Sequence, residues 1–303
     1  MKAFVSGATG LVGRYIVEDL LAAGYGVRIG GRSKPAGDLF SKPVEFSEFG
    51  LGAGEDPAPL FTDVNCFIHA AFDHVPGRYR GGEGDDPDAF RTRNLDGSVL
   101  LFEAARRAGV RRAVFLSSRA VYDGAAPGTV QTERLHLRPT SLYGDIKLKC
   151  EQALAALNGP AFTTASLRLT GVYGGLRPNK WDRLVADYLA GATIPVRAGS
   201  EVHGSDVGQA VRLMLETEPP LVAGEAFNVS DLIADTHEIL SAIKELSGNP
   251  HPLPDRADKA AIAAMDCAKI RALGWKPGGM PLFEKTLRQL AAGQASGDRP
   301  AGS

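Results

Sequence analysis

Tyr143 and Lys147 lie four positions apart in LYGDIKLKCEQAL, where Ile146, Cys150, Ala153, Leu154 and Leu157 recur at helical spacing and mark an inward face. A tyrosine and a lysine one turn apart share a side of that helix. A free phenol has a pKa of about 10, so acid–base work near neutrality needs a positive neighbour that favours the phenolate. An ammonium one turn away supplies it. Ser118 closes the apolar run AVFLSS, and a hydroxyl at the carboxyl end of a parallel strand is placed to orient a substrate oxygen beside Tyr143. Each feature has an ordinary alternative, since Tyr-x-x-x-Lys arises by chance in helices and a serine often simply ends a strand. Together the three surround one carbonyl.

Gly7, Gly10 and Gly13 stand at three-residue intervals between KAFVS and a helical stretch carrying Val12, Ile16, Val17, Leu20 and Leu21. Without side chains there, a backbone can approach a pyrophosphate and the helix N-terminus can face it. Glycines that merely tighten the turn are the plain alternative, but a position directly after the first strand favours a dinucleotide. At the end of the second strand, VRIGG, Gly31 and Arg32 occupy the place where an acid usually meets the adenosine ribose. The guanidinium of Arg32 suits a 2'-phosphate, so NADP(H) is favoured and NAD(H) remains open; a solvated arginine is the alternative.

The elements that must position these groups read as an α/β chain of the Rossmann type. CFIHAA, AVFLSS and TASLRLT alternate with helical stretches near 95–108 and 143–157, the pattern of a doubly wound parallel sheet. Residues 1–168 are expected to form the dinucleotide-binding domain. Residues 169–291 are expected to form a smaller substrate-binding region interleaved with it, with helices at NKWDRLVADYLAG and THEILSAIKELSG and a strand at GEAFNVS. Stretches 34–60 and 73–88 read as loops, and 292–303 as a disordered tail. The 34 basic and 35 acidic residues nearly cancel, so no bulk field draws in nucleic acid or an anionic membrane. Three cysteines without metal-ligand spacing predict neither a metal site nor a disulfide framework. With no signal-like or membrane-spanning run, the expectation is a cytoplasmic protein.

Taken together, these segments resemble the extended short-chain dehydrogenase/reductases, the epimerase/dehydratase superfamily. SGATGLVG stands where that family has TGxxGxxG, FIHAA at its strand ending in His-Ala-Ala, AVFLSSRAVYDG at its serine segment, YGDIK at YxxxK, and ALGWKP at a C-terminal signature. The resemblance implies Ser118, Tyr143 and Lys147 as the catalytic triad. It implies Thr9, Gly10, Leu11, Val12, Ala70, Ala71, Asn94 and Thr170 as cofactor contacts, with Tyr143 and Lys147 also touching the cofactor. Asn94 has an equally ordinary role satisfying helix backbone. Relatives are often dimers, so a homodimer is a family-level expectation.

Departures narrow the reaction. Ser6 replaces a threonine, and Glu48 and Phe49 are the nearest candidates for an acidic–apolar pair at the adenine. Arg119 and Ala120 follow Ser118 where dehydratases carry acids, which disfavours dehydration; Arg119, with Ser118, Phe72, Gly171, Arg177 and His203, is a candidate substrate contact. Gly171 and Gly199 stand where nucleotide-sugar epimerases grip a diphosphate. Arg177, Lys180, Arg183 and Arg197 are possible replacements, although such residues are commonly solvated. Phe72 and the 73–88 loop are placed to shape the pocket, and His203 touches substrate or caps a structural element. The preferred reading is an oxidoreductase acting on a small hydroxy or carbonyl compound, sugar derivatives included. The alternative is a nucleotide-sugar epimerase with a tightly held cofactor, and a third reading is a dinucleotide-sensing regulator or scaffold.

Overall fold

In KAFVS, Ala3 and Val5 face one side and Phe4 the other, and all three are fully buried, so both faces of this strand must be covered. The computed structural model describes residues 1–52, 54, 56–75, 82–126, 128–177 and 179–295. Its strands are β1 (Lys2–Ser6), β2 (Gly26–Gly31), β3 (Glu45–Glu48), β4 (Cys66–His69) and β5 (Arg112–Ser118). They continue with β6 (Thr163–Leu169), β7 (Gly171–Tyr173), β8 (Ala198–His203), β9 (Glu225–Val229) and β10 (Leu232–Asp235). The helices are α1 (Leu11–Ala22), α2 (Pro87–Arg91), α3 (Gly97–Arg107), α4 (Leu142–Ala156) and α5 (Asp182–Leu189). After them come α6 (Gly204–Glu216), α7 (Pro219–Val222), α8 (Thr236–Ser247), α9 (Ala268–Ala272) and α10 (Gly279–Ala295).

Seven parallel strands form the large sheet in the order β3-β2-β1-β4-β5-β6-β9. One face packs under α1 and α6, through Ile16, Leu20, Val207 and Val211; the other packs under α3 and α4, through Phe102, Ala105, Ile146 and Leu154. Apart from alanine, each such side chain contributes about 1.5–3 kcal/mol by leaving water. The chain winds outward from β1 to β3 and then resumes at β4 on the other flank of β1. That reversal opens a crevice at the carboxyl ends of β1 and β4, the position where doubly wound sheets take ligands. The α/β, Rossmann-type expectation is met.

A second sheet, β10-β8-β7, belongs to a smaller layer whose core joins α5, α8 and α10. Tyr173 stacks on Trp181 at 5.0 Å, and Phe283 meets both rings edge-on. Neither this sheet nor α6 is anticipated by the sequence reading. Within the expected 34–60 loop, β3 adds an edge strand. It is short and its outward Glu45 bonds Lys2 and Arg28, so it presents no apolar run to read. Of the 73–88 loop, residues 76–81 lie outside the described residues and Pro87 already begins α2. The expected tail starts inside α10, which continues to Ala295, while 296–303 lie outside the described residues. Among the described residues no helix is long and apolar enough to cross a membrane.

Candidate active site

Ser141 fixes where α4 begins. Its Oγ accepts from the Gly144 amide at 3.1 Å and donates to Asp123 at 3.1 Å, so Tyr143 falls in the first turn and Lys147 in the next. A Cβ on Gly144 would lie 2.5 Å from the Ala120 carbonyl oxygen, which shows how closely α4 presses on the turn Arg119–Tyr122 that follows Ser118. Ser118 Oγ accepts from the Ala120 amide at 3.1 Å, leaving its hydroxyl proton to donate toward a substrate oxygen.

Lys147 is 4% exposed and its ammonium sits in a cage. Nζ donates to the Leu116 carbonyl at 2.7 Å and lies 4.5 Å from the centre of the Phe72 ring, 4.7 Å from Phe115 and 5.8 Å from Tyr143. Burial pushes its pKa down to about 8, with Cys150 and Glu151 opposing. The ring faces and the carbonyl replace part of the lost hydration. Phe72 meets Tyr143 edge-on at 5.0 Å, so one ring touches both Tyr143 and the Lys147 ammonium.

Behind Phe72 runs a buried polar chain. Asn94, in the wide helical turn Thr92–Asp96, accepts from the Asp73 amide at 2.7 Å and donates to the carbonyls of Asp73 and Phe90 at 2.8 and 3.0 Å. Its side chain is fully buried; the bonds to Asp73 fix the backbone after Phe72, and the bond to the Phe90 carbonyl satisfies helix backbone. His69 bridges Ser6 Oγ at 2.7 Å and Ser98 Oγ at 2.8 Å, and Ser98 in turn donates to the Asn94 carbonyl. Since Ser6 Oγ also accepts from the Ala71 amide, a consistent assignment has Ser6 donating to Nδ1 and Nε2–H donating to Ser98. Burial pushes the His69 pKa down to about 3, so the ring is neutral and ties the glycine turn to α3. Sequence reading missed His69; a lone histidine in an apolar strand beside Ser6 was its signal.

The residues present fit a dinucleotide. Gly7 has φ +69°, and a Cβ there would lie 2.6 Å from the Ala71 amide nitrogen, so glycine lets the turn lie against the end of β4. Thr9 and Gly10 are exposed, Leu11 and Val12 half-buried, and Gly10 precedes α1 as an N-cap with no side-chain hydrogen bond, leaving the first amides of the helix for a phosphate. Ala70 and Ala71 line the other wall of that crevice, while Gly13 is buried against the turn. Thr170 Oγ1 is buried with no partner among the described residues, a hydroxyl awaiting a polar group. Arg32 is exposed just past β2, and the register sets Glu48 opposite Gly31, with the Phe49 amide bonded to the Gly31 carbonyl.

Other candidate substrate contacts have structural work. Arg119 binds Gln131 Oε1 at 2.9 Å and the Ala263 carbonyl at 3.1 Å, drawing the 263 segment in beside Ser118. His203 caps α6 through Ser205 and packs between Tyr15 and Tyr173, and burial pushes its pKa down to about 4. The structural alternative therefore describes it better than substrate contact. The Arg177 carbonyl accepts from Arg14, and Arg183 is solvated beside Asp187. Gly171 adjoins an ion pair between Lys180 and Glu201.

A family model described as NAD dependent epimerase/dehydratase family matches residues 3–230, which include the glycine turn, Ser118, Tyr143, Lys147 and Thr170. The chain belongs to that family. Members are enzymes, and this one is an oxidoreductase or an epimerase. A UDP-glucose 4-epimerase of Mycolicibacterium smegmatis is 29% identical over 91% of this chain and 94% of its own length. A sterol-4-alpha-carboxylate 3-dehydrogenase of Mus musculus is also 29% identical, over 58% of this chain and 47% of its own length. The crystal structure of Thermus thermophilus UDP-glucose 4-epimerase in complex with NAD superposes with a TM-score of 0.78 at 25% identity, covering 99% of this chain and 100% of that one.

Proposed function

We propose that this enzyme carries a secondary alcohol of a sugar derivative through its ketone. The observation that carries the reading is the caged ammonium of Lys147 beside the Tyr143 ring. When bound, the dinucleotide accepts or supplies the hydride. Tyr143 takes the hydroxyl proton as the ketone forms and returns it on reduction, Lys147 favours the phenolate, and Ser118 donates to the substrate oxygen. Phe72 and the Asn94-held backbone keep that geometry and shield it from water. The relatives support an epimerase over a simple dehydrogenase: the ketone is then an intermediate, reduced again on its other face. Retention of nicotinamide through gel filtration without exchange supports epimerisation, whereas turnover with external cofactor supports a dehydrogenase. Tyr143→Phe is expected to lower turnover by about 10²–10⁴-fold with cofactor affinity unchanged. Near-normal turnover in that variant would remove tyrosine from the mechanism.

For the cofactor, we read Arg32 as the partner of a 2'-phosphate, so NADP(H) is preferred within an NAD-binding family. Arg32→Ala is expected to weaken NADPH binding about tenfold while leaving NADH binding nearly intact, as measured by quenching of protein fluorescence. Equal losses would instead point to Glu48, opposite Gly31, as the ribose partner and to NAD.

A further inference from the structure

Arg14 stands in the first turn of α1, directly after Gly13, and helical side chains lean toward the N-terminus of their helix, here the end that faces the glycine turn. Its guanidinium bonds carbonyls from two separate stretches of chain. Nη1 donates to the Arg177 carbonyl, in the stretch that leaves β7, and Nη2 donates to the Leu39 carbonyl at 3.4 Å, in the connection from β2 to β3. Neighbouring bonds continue both attachments. The Ser41 amide donates to Glu18 at 2.9 Å and Lys42 Nζ to the Leu21 carbonyl at 2.7 Å, so the β2–β3 connection follows α1 past residues 14, 18 and 21. The Leu176 amide donates to the Tyr15 hydroxyl at 2.9 Å, and a Cβ on Gly174 would collide with that hydroxyl, so the stretch after β7 presses on the same helix.

These stretches come from opposite flanks of the crevice. The first leaves the end of β2, where doubly wound sheets hold the adenosine half of a dinucleotide; the second follows β6, whose last residue, Leu169, is level with Ser118 on the reacting side. Arg14 bonds both of them, and its bonds go to carbonyls; Glu18, one turn along, is taken by Ser41. A planar fork of donors can bridge two carbonyls, whereas an ammonium acts as a single point. Water can replace such bonds at modest cost, so the bridge can open on the timescale of loop motion.

Building on the cofactor reading above, we propose that Arg14 is a positioning residue for the dinucleotide, a clasp that joins the two flanks of the crevice at the start of the phosphate-binding helix and sets how slowly the cofactor enters and leaves. Slow exchange serves an epimerase, whose nicotinamide must stay in place until the ketone is reduced again. A gate delays both directions, so its signature is kinetic. In Arg14→Met, release of bound NADH, followed by its fluorescence in stopped flow after addition of excess NAD, is expected to be about tenfold faster, and association faster as well. NADPH chased with NADP should behave alike. Arg14→Lys keeps the charge without the fork and should release NADH almost as fast as Arg14→Met; Tyr15→Phe removes one bond of the second attachment and should release it about threefold faster. Circular dichroism establishes that each variant is folded, and if Arg14→Met does not fold, Arg14→Lys and Tyr15→Phe decide. Release within twofold of the parent in the folded variants overturns the proposal. Faster release with slower association also overturns it, because lost charge attraction or general loosening produces that pattern, and so does slow release retained in Arg14→Lys. Tyr143→Phe should release NADH at the parent's rate, and none of these measurements involves turnover, so failure of the clasp is separable from failure of the hydride-transfer mechanism.

Discussion

Lys147→Met is expected to lose turnover by about 10³-fold or more and to gain stability at the same time. The loss follows from the proposed mechanism, in which the Lys147 ammonium, 5.8 Å from the centre of the Tyr143 ring, favours the phenolate. The gain follows from burial. Burial carries the Lys147 pKa from 10.5 down to about 8 on folding, and at about 1.4 kcal/mol per unit the cost of holding the charge is about 3.5 kcal/mol. Methionine fills a similar volume without that cost. Its loss of the Leu116 hydrogen bond and of the contacts with Phe72 and Phe115 trims the net gain to about 1–3 kcal/mol, or a few degrees in Tm. The sign with pH is definite. A lysine whose folded pKa is depressed destabilises the fold fully below about pH 8, and the penalty fades as pH rises toward 10.5, where the unfolded chain also loses the proton. The advantage of the methionine variant should therefore be largest at neutral pH and vanish in strong alkali. Thermal unfolding of both cofactor-free proteins across that range measures it. A variant less stable than the parent at neutral pH would show that the cage stabilises the charge more than burial penalises it.

What could be read from the residues alone was short in range. The glycine turn, the strand ending in Ser118 and the Tyr143–Lys147 spacing are local patterns whose geometry is set within one or two turns of chain, and the sheet that carries them follows from runs such as CFIH and AVFLSS. What escaped depends on register between distant segments. Glu201 and Lys180 meet because β7 and β8 pair in parallel, and no spacing in the sequence announces that. The small sheet joins three short strands with mixed composition, so neither alternation nor an apolar run marks them. His203 and Arg119 carried chemistry-bearing side chains but found partners two and twelve residues away, and the packing decided against exposure. Asn94 was weighed between two roles, and only the positions of Asp73 and Phe90 show which bonds it makes.

A second large effect should come from a residue that touches neither substrate nor cofactor. Arg168 on β6 is 5% exposed and donates through Nε and Nη2 to both oxygens of Glu151 on α4, at 2.7–3.2 Å, and through Nη1 to the Tyr122 hydroxyl at 2.7 Å. The Tyr122 hydroxyl donates to Asn228 Oδ1 at 2.8 Å, and Asn228 Nδ2 donates to the carbonyls of Gln131 and Asp266. One guanidinium thus fastens the catalytic helix, the turn after Ser118 and the strand β9 to a single point. Arg168→Met removes the hydrogen-bonded cation from the Glu151 carboxylate, which is 6% exposed, and is expected to cost about 3–5 kcal/mol in denaturant unfolding. Replacing both partners, Arg168→Met with Glu151→Leu, removes the stranded charge as well and should recover most of that loss, because an apolar pair of similar volume satisfies a dry site. A double variant no more stable than the single one would mean that the bonds themselves, and not the uncompensated carboxylate, dominate. Glu151 lies one turn past Lys147 and opposes the fall in its pKa. In whatever fraction of Arg168→Met folds, an unshielded Glu151 should therefore move the alkaline limb of kcat/KM to higher pH, a shift that simple loosening of the fold would not produce.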